Sequence, residues 1–544
     1  MKRRPVADRL PPAVRPVQDE RTDAVCENPN PMSMMPALPS TAMIGVAGAG
    51  AMGAGIAQVA AQAGHVVRLF DMQAGAAEKA IAGIGRALGR LVDKGKLANA
   101  EAGAITARVR PAAVLSEFAD CALVIEAIVE RLDSKRSLFA ELEGIVASDC
   151  ILATNTSSLS ITAIAAGMKA PQRFAGMHFF NPAPLMALVE VVSGLATAQE
   201  VLGTLHATAT AWGKSPVAAQ STPGFIVNRV ARPYYGEALR LLHERASDPA
   251  TIDAVLRDAG GFRMGPFELM DLIGHDVNFA VSHSVYNAYF QDPRFKPSLI
   301  QQELVAAGYL GRKSGRGFFH YGDGMAAPAA QSEPPRTIGG KVIARGALRL
   351  LVPLVERLRV AGIAVETLPA ETWIGIGYLQ IGDCIMLLTD GRTATAHAAA
   401  SNFANLVKLD LALDYAKATR CAVARADQCS DGAFDNAVGL LQAAGLAVAR
   451  LDDAPALAVM RTVAMLANEA ADAVQQGVCS ADDCDTAMQK GVGYPRGPLA
   501  WADAIGADIV VGVLDHLYAH YGEDRYRVSP LLRRKLQSGM RFHG

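Results

Sequence analysis

The chain has 544 residues, 52 Lys+Arg against 53 Asp+Glu, a net charge of −1 and 51% hydrophobic residues. That length exceeds one ordinary core, and the balanced charge provides no global basic field to hold nucleic acid. Eight cysteines with no CxxC pair and no histidine cluster at metal spacing fit a reducing cytoplasm and argue against a metal site or a disulfide framework.

Residues 1–41 are rich in proline and charge and lack an apolar core, so they read as a disordered extension and not as a secretory signal. Met32, Met34 and Met35 stand just before the first strand as alternative starts. No stretch reads as a membrane span, because the longest uncharged run carries too many glycines and glutamines.

That run, MIGVAGAGAMGAGIAQVAAQAGHVVRLFD, is a strand, a glycine turn, a helix and a second strand. Gly48, Gly50 and Gly53 form G-x-G-x-x-G at the strand-to-helix junction, where bare backbone can approach a pyrophosphate. Asp71 closes the second strand, where a carboxylate takes ribose hydroxyls and repels a 2′-phosphate, so NAD is favoured over NADP. The plain alternative for Asp71 is a turn residue at a strand end. Next come CALVIEAIVE and CILATNTSSLSITAIA, each an apolar run ending in polar residues, as parallel strands do at a cofactor crevice.

RFAGMHFF and LVEVV follow as two strands joined by a proline-rich turn, which places His178 and Glu190 on neighbouring strands. An imidazole and a carboxylate that bury each other cost less than either alone. Together they make a base that can take a hydroxyl proton as hydride leaves the same carbon. Ser157 in NTSSL and Asn228 in PGFIVNR are uncharged candidates to fix the substrate oxygen, with local capping as their alternative.

From STPGFIVNRV onward the pattern is helical. Shifting the sequence by 232 positions (455 − 223) lays PGFIVNR on PALAVMR and superposes Glu237 on Glu469, Asp253 on Asp485, Gly265 on Gly497, Asp271 on Asp503 and Gly274 on Gly506. A helical module is therefore duplicated. Met460 stands where Asn228 does, and neither HFFNP nor the glycine fingerprint recurs, so one active site is expected. The sequence between the copies reads as a small α/β segment, a spacer or decayed nucleotide fold that binds no cofactor.

GAGAMGAGIAQVAAQAGHVV, VIEAIVERLDSKRSLF, TNTSSLSI, GMHFFNPAPLMALVEVV and TPGFIVNR closely resemble the L-3-hydroxyacyl-CoA dehydrogenases. The duplicated module with GYPRGPLAWADAIG resembles the long bacterial form of that family, associated with phenylacetate breakdown. The resemblance implies an α/β Rossmann-type NAD-binding domain followed by two all-α C-terminal copies separated by the small α/β segment. The expected boundaries are 1–41, 42–221, 222–325, 326–452 and 453–544.

It further implies oxidation of an L-3-hydroxyacyl-CoA, with 3-hydroxyadipyl-CoA favoured over 3-hydroxybutyryl-CoA. His178 would be the base and Glu190 its partner, with Ser157, Asn181 and Asn228 around the substrate. Asp71, Glu130 and Lys135 would serve the NAD site beside Gly48, Gly50 and Gly53. Lys94 and Lys96 are candidates for the CoA phosphates, with a solvated helix face as the alternative. No arginine is assigned to a distal carboxylate, Arg232 in NRVARPYY being a guess outside the site. The expected partner is the acyl-CoA substrate, with no nucleic acid, no membrane and no metal. A homo-oligomer through the helical domains is a further expectation, as is a cytoplasmic location. A catalytically silent NAD or acyl-CoA binding protein is the alternative from another class. The lysine-dependent hydroxyacid dehydrogenases share the glycine fingerprint but not the His and Glu pair.

Overall fold

The computed structural model describes residues 35–322, 325, 328–369 and 377–544. The expected extension, including Met32 and Met34, lies outside the described residues apart from 35–41.

The first sheet is built of β1 (Met43–Ala47), β2 (Val67–Phe70), β3 (Val109–Ala112), β4 (Cys121–Glu126), β5 (Ile151–Thr154), β6 (Phe174–Phe179), β7 (Leu188–Ser193) and β8 (Ser215–Gln220). Their order is β3-β2-β1-β4-β5-β6-β7-β8. All neighbours run parallel except β6 and β7. Helices cover both faces, which is why β1, β4 and β5 are almost wholly apolar and buried. Chain order reverses between β1 and β4, and a crevice forms there at the carboxyl ends of the strands.

The middle segment is larger than its expected reading. β9 (Val342–Arg345), β10 (Val365–Leu368), β11 (Tyr378–Ile381), β12 (Cys384–Leu388), β13 (Leu406–Leu409), β14 (Arg420–Arg425) and β15 (Ala447–Arg450) make one mixed sheet of order β10-β9-β11-β12-β13-β14-β15. Its second half repeats the first sheet. Like β5 to β8, the strands β12 to β15 pair parallel, antiparallel, parallel. The offset of 232 carries Leu188–Ser193 onto Arg420–Arg425 and the helix Gln199–Ala211 onto Asp431–Ala443. The duplication therefore begins well before Pro223 and includes half a nucleotide-binding fold.

The helical copies share their local devices. Asp253 accepts the backbone N–H groups of Phe267 and Glu268 at the start of the helix Pro266–Ile273, and Asp485 does the same for Leu499 and Ala500 before Pro498–Ile505. Gly265 and Gly497 lie against these carboxyl groups so closely that a Cβ would collide with them. Gly274 and Gly506 follow the two helices at φ 98° and 103°, conformations that only glycine adopts readily.

The copies embrace through reciprocal buried ion pairs. Arg229 Nε donates to Glu469 at 2.6 Å, and its counterpart Arg461 (461 − 229 = 232) donates to Glu237 at 2.8 Å. Arg294 adds a second guanidinium to Glu469, and Arg525 adds one to Glu237. Each copy thus gives the other what it receives, the rule of a two-fold interface, here within one chain. Burial would raise the Glu237 carboxyl, but Arg525 and Arg461 outweigh it and hold the group at about 2.

Candidate active site

Antiparallel pairing of β6 with β7 puts His178 directly opposite Glu190. His178 Nδ1 lies 2.6 Å from Glu190 Oε2. A carboxylate only accepts, so Nδ1 carries the hydrogen and Nε2 presents its lone pair. Glu190 Oε1 in turn accepts the backbone N–H groups of Ile226 and Val227, both at 3.0 Å. The carboxylate is thus fixed at both oxygens while 1% exposed. Phe225, held at φ 46°, and Phe180 set their rings against the imidazole, which leaves Nε2 as its polar outlet.

Other candidates converge on the carboxyl ends of the strands. Asn155 Oδ1 accepts the Phe179 N–H, which ties the loop after β5 to the histidine strand. Ser157 follows in that loop, its N–H bonded to Glu130 Oε1. Among the described residues its hydroxyl has no protein partner, so local capping does not explain it. Asn228 sits one residue past the N–H groups that grip Glu190, and its amide is likewise without a protein partner among the described residues. Asn181 is exposed in the turn between β6 and β7.

Glu130 collects the hydroxyls of Thr156 and Ser158 as well as the Ser157 N–H. Burial pushes its carboxyl up, but the Thr156 hydroxyl and Lys135 ammonium prevail and hold it below the ordinary carboxylate range. Lys135 is 1% exposed, between Glu126 at 2.5 Å and Glu130 at 3.2 Å. Its link to the loop after β5 runs through Glu130.

The glycine turn fits a dinucleotide. Gly48 has φ 109°, with the Ala127 carbonyl where a side chain would go, and a Cβ on Gly53 would run into the Gly48 carbonyl. Gly50 faces open space where a phosphate can approach the N-terminus of the helix Ala51–Gln62. A cavity of about 650 Å³ runs from this turn past Asp71 and Gln73 to Lys79 and Arg86. Asp71 Oδ2 accepts the Ala49 N–H and Oδ1 the Gln73 N–H, so it serves both as a turn residue and as a carboxylate facing the cavity. Lys94 and Lys96 are exposed just past the helix Ala76–Asp93.

The offset finds one more residue of interest. His178 falls on Asp410 (410 − 178 = 232) and Glu190 on Ala422, which face each other across β13 and β14. Asp410 alone accepts the N–H groups of Ala458, Val459 and Met460, the first two being counterparts of Ile226 and Val227. A single buried acid thus fills the place of the pair, and nothing is left facing outward.

Comparisons with known proteins agree with this layout. Residues 43–222 match the 3-hydroxyacyl-CoA dehydrogenase NAD-binding domain, and residues 224–321 and 458–541 its C-terminal domain. Residues 386–455 match the 3-hydroxybutyryl-CoA dehydrogenase reduced Rossmann-fold domain. The chain is 45% identical over 498 residues to the 3-hydroxyadipyl-CoA dehydrogenase of Escherichia coli K12, covering 91% of this chain and 98% of that one. A crystal structure of 3-hydroxybutyryl-CoA dehydrogenase from E. coli K12 superposes with TM-score 0.83 and 44% identity, covering 92% and 99%. The mitochondrial hydroxyacyl-coenzyme A dehydrogenase of Sus scrofa is 41% identical over 51% of this chain and 90% of its own.

Proposed function

The chain belongs to the 3-hydroxyacyl-CoA dehydrogenase family, and from that premise we propose that it oxidises 3-hydroxyadipyl-CoA to 3-oxoadipyl-CoA at a single site around His178. The observation that carries this reading is the buried pair of His178 with Glu190, which leaves Nε2 as the one imidazole nitrogen free to take a proton. Bound NAD supplies the hydride acceptor. His178 Nε2 takes the proton from the C3 hydroxyl, and Glu190 keeps the ring oriented while stabilising the imidazolium that forms. Ser157 and Asn228 offer the hydroxyl and amide that hold the substrate oxygens. Lys94 and Lys96, exposed just past the helix Ala76–Asp93, are the candidates for the CoA phosphates, with a solvated helix face as the alternative.

The choice of the adipyl chain rests on the 45% identity that runs along almost the whole E. coli 3-hydroxyadipyl-CoA dehydrogenase, duplicated half included. The E. coli crystal structure carries a butyryl name, so chain preference is the point to test. A cytoplasmic location is in keeping with the seven described cysteines, all free thiols. No described helix is long and apolar enough to cross a membrane. The helical pairing is satisfied within one chain, so a homo-oligomer would use other faces.

The test is NADH formation by purified protein with NAD and a panel of L-3-hydroxyacyl-CoAs of differing chain. The expected result is the highest kcat/KM with 3-hydroxyadipyl-CoA. Faster turnover of 3-hydroxybutyryl-CoA would reject the adipyl assignment and keep the reaction, while no turnover of any thioester by NAD-competent protein would reject the assignment of the site.

A further inference from the structure

Among the described residues, buried guanidinium groups have carboxylate partners with one exception, which lies close in the chain to Asn228. Arg229, Arg294, Arg461 and Arg525 all pair with Glu237, Glu469 or Asp472. Arg232 is 8% exposed and has no carboxylate partner among the described residues. Its Nη1 donates to Ser282 Oγ at 3.1 Å, its guanidinium lies 5.0 Å from the centre of the Tyr235 ring, and its Nε is buried without a partner. Desolvation weakens its hold on the charge, which neighbouring tyrosines only partly offset. One of those, Tyr494, also buries its hydroxyl without a partner. An isolated buried cation is costly, so an anion is the chemistry that would complete this place.

Its position relates it to the reaction. Ala231 keeps right-handed helical geometry between the segments Val227–Val230 and Arg232–His243. Arg232 therefore opens the second segment four residues beyond Asn228, about one helical turn along the chain. It lines a cavity of about 570 Å³ that runs along the helix Arg232–His243 past Gly236 and Leu239. The second copy provides an internal control. There Asn228, Arg232 and Ser282 become Met460, Ala464 and Leu514, all buried and apolar (464 − 232 = 232; 514 − 282 = 232). The copy without the catalytic pair has lost the cation, its hydroxyl support and the substrate amide together.

We propose that Arg232 binds the terminal carboxylate of the acyl chain and so selects dicarboxylic acyl-CoA substrates. This deepens the adipyl reading and rests on it. In a six-carbon diacid the terminal carboxyl is three bonds beyond C3, a span comparable to the helical turn of about 5.4 Å separating Asn228 from Arg232. A neutral acyl chain of equal length would leave the cation unpaired, which gives discrimination by penalty as well as by attraction.

The experiment compares 3-hydroxyadipyl-CoA with 3-hydroxyhexanoyl-CoA, which has the same carbon count and no terminal charge, in the wild-type enzyme and in Arg232→Met and Arg232→Lys. The wild type is expected to favour the adipyl substrate. Arg232→Met should lose roughly 10- to 100-fold in kcat/KM for the adipyl thioester, as for a hydrogen bond to a charged group. Its hexanoyl activity should hold or rise, which also reports that the variant is folded. Arg232→Lys should keep part of the preference. The inhibition constant of adipyl-CoA, which lacks the hydroxyl and cannot react, should weaken in parallel while that of hexanoyl-CoA does not. Equal loss with both chains, or a preference that survives Arg232→Met, would overturn the role of Arg232 and leave the adipyl assignment standing. A wild-type enzyme with no adipyl preference would overturn both.

Discussion

His178 and Asp410 occupy the same place in two copies of one fold and do opposite things. His178 is held from behind by Glu190 and keeps Nε2 open, whereas Asp410 bonds backbone N–H groups itself and is 0% exposed. Both copies face the same local difficulty. A left-handed turn, Gly224–Phe225 in one and Ala456–Leu457 in the other, points unpaired helix-start N–H groups at the sheet. The first copy answers with a carboxylate from β7 and leaves the β6 position to an imidazole whose Nε2 stays open. The second answers from the strand-β13 side alone. On the proposed mechanism, catalysis amounts to separating two duties, satisfying the backbone and moving a proton, that one side chain can combine only by giving up the second.

The difference should break most visibly in turnover. His178→Gln and Glu190→Gln are each expected to lower kcat by roughly 10²–10⁴-fold, with NAD affinity retained in a binding titration. Substitutions at Asp410 should leave kcat of the folded enzyme near the wild-type value.

The next effect treats the copies as equals. Glu237→Ala strands Arg525 and leaves Arg461 only Glu244, and Glu469→Ala strands Arg229 and leaves Arg294 only Asp472. Each should cost about 3–5 kcal/mol in denaturant unfolding, because removing one member leaves buried charge uncompensated. A large inequality between the two variants would contradict the internal two-fold.

A pH series sharpens the comparison further. Burial raises the Asp410 carboxyl from 3.8 to about 6 in spite of the N–H groups it accepts. The folded state binds that proton more tightly than the unfolded chain. Its stabilisation is then fully present below about pH 4 and lost as pH rises through about 6, an amount of about 3 kcal/mol. Asp253, raised by burial to about 7, adds a loss in a slightly higher window. Asp410→Asn should flatten the part near pH 6 and leave the Asp253 part, as read by unfolding midpoints at successive pH values.

The smallest change is Met460→Asn, which puts into the second copy the amide that Asn228 carries in the first. No gain in kcat is expected, and an amide at this fully buried position should cost about 1–3 kcal/mol if it finds no partner.

Much of this was legible in the sequence where chemistry needs rare residues. Gly48 and Gly53 stand where no side chain fits, and His178 with Glu190 stood out because apolar strands seldom carry such groups. The helical duplication was visible because Pro, Gly and Asp hold its turns. Its extension into the sheet was hidden, since β13 and β14 preserve only an apolar pattern and the pair has become Asp410 and Ala422. The strands β9 to β11 were missed for a related reason, being short and mixed in direction without a fingerprint. Nor did the charged run LDSKRSLF reveal that Lys135 is buried, because that depends on Glu126 and Glu130 across the fold. The isolation of Arg232 was equally invisible, since it is defined by carboxylates that other arginines have and it lacks.

The most direct test measures kcat and unfolding midpoint side by side for His178→Gln and Asp410→Ala. The first should lose turnover with its midpoint near wild type, and the second should lose stability, with its backbone donors left unpaired, while its folded fraction turns over normally. Turnover abolished by Asp410→Ala in protein that unfolds like the wild type would contradict the assignment of chemistry to the first copy alone.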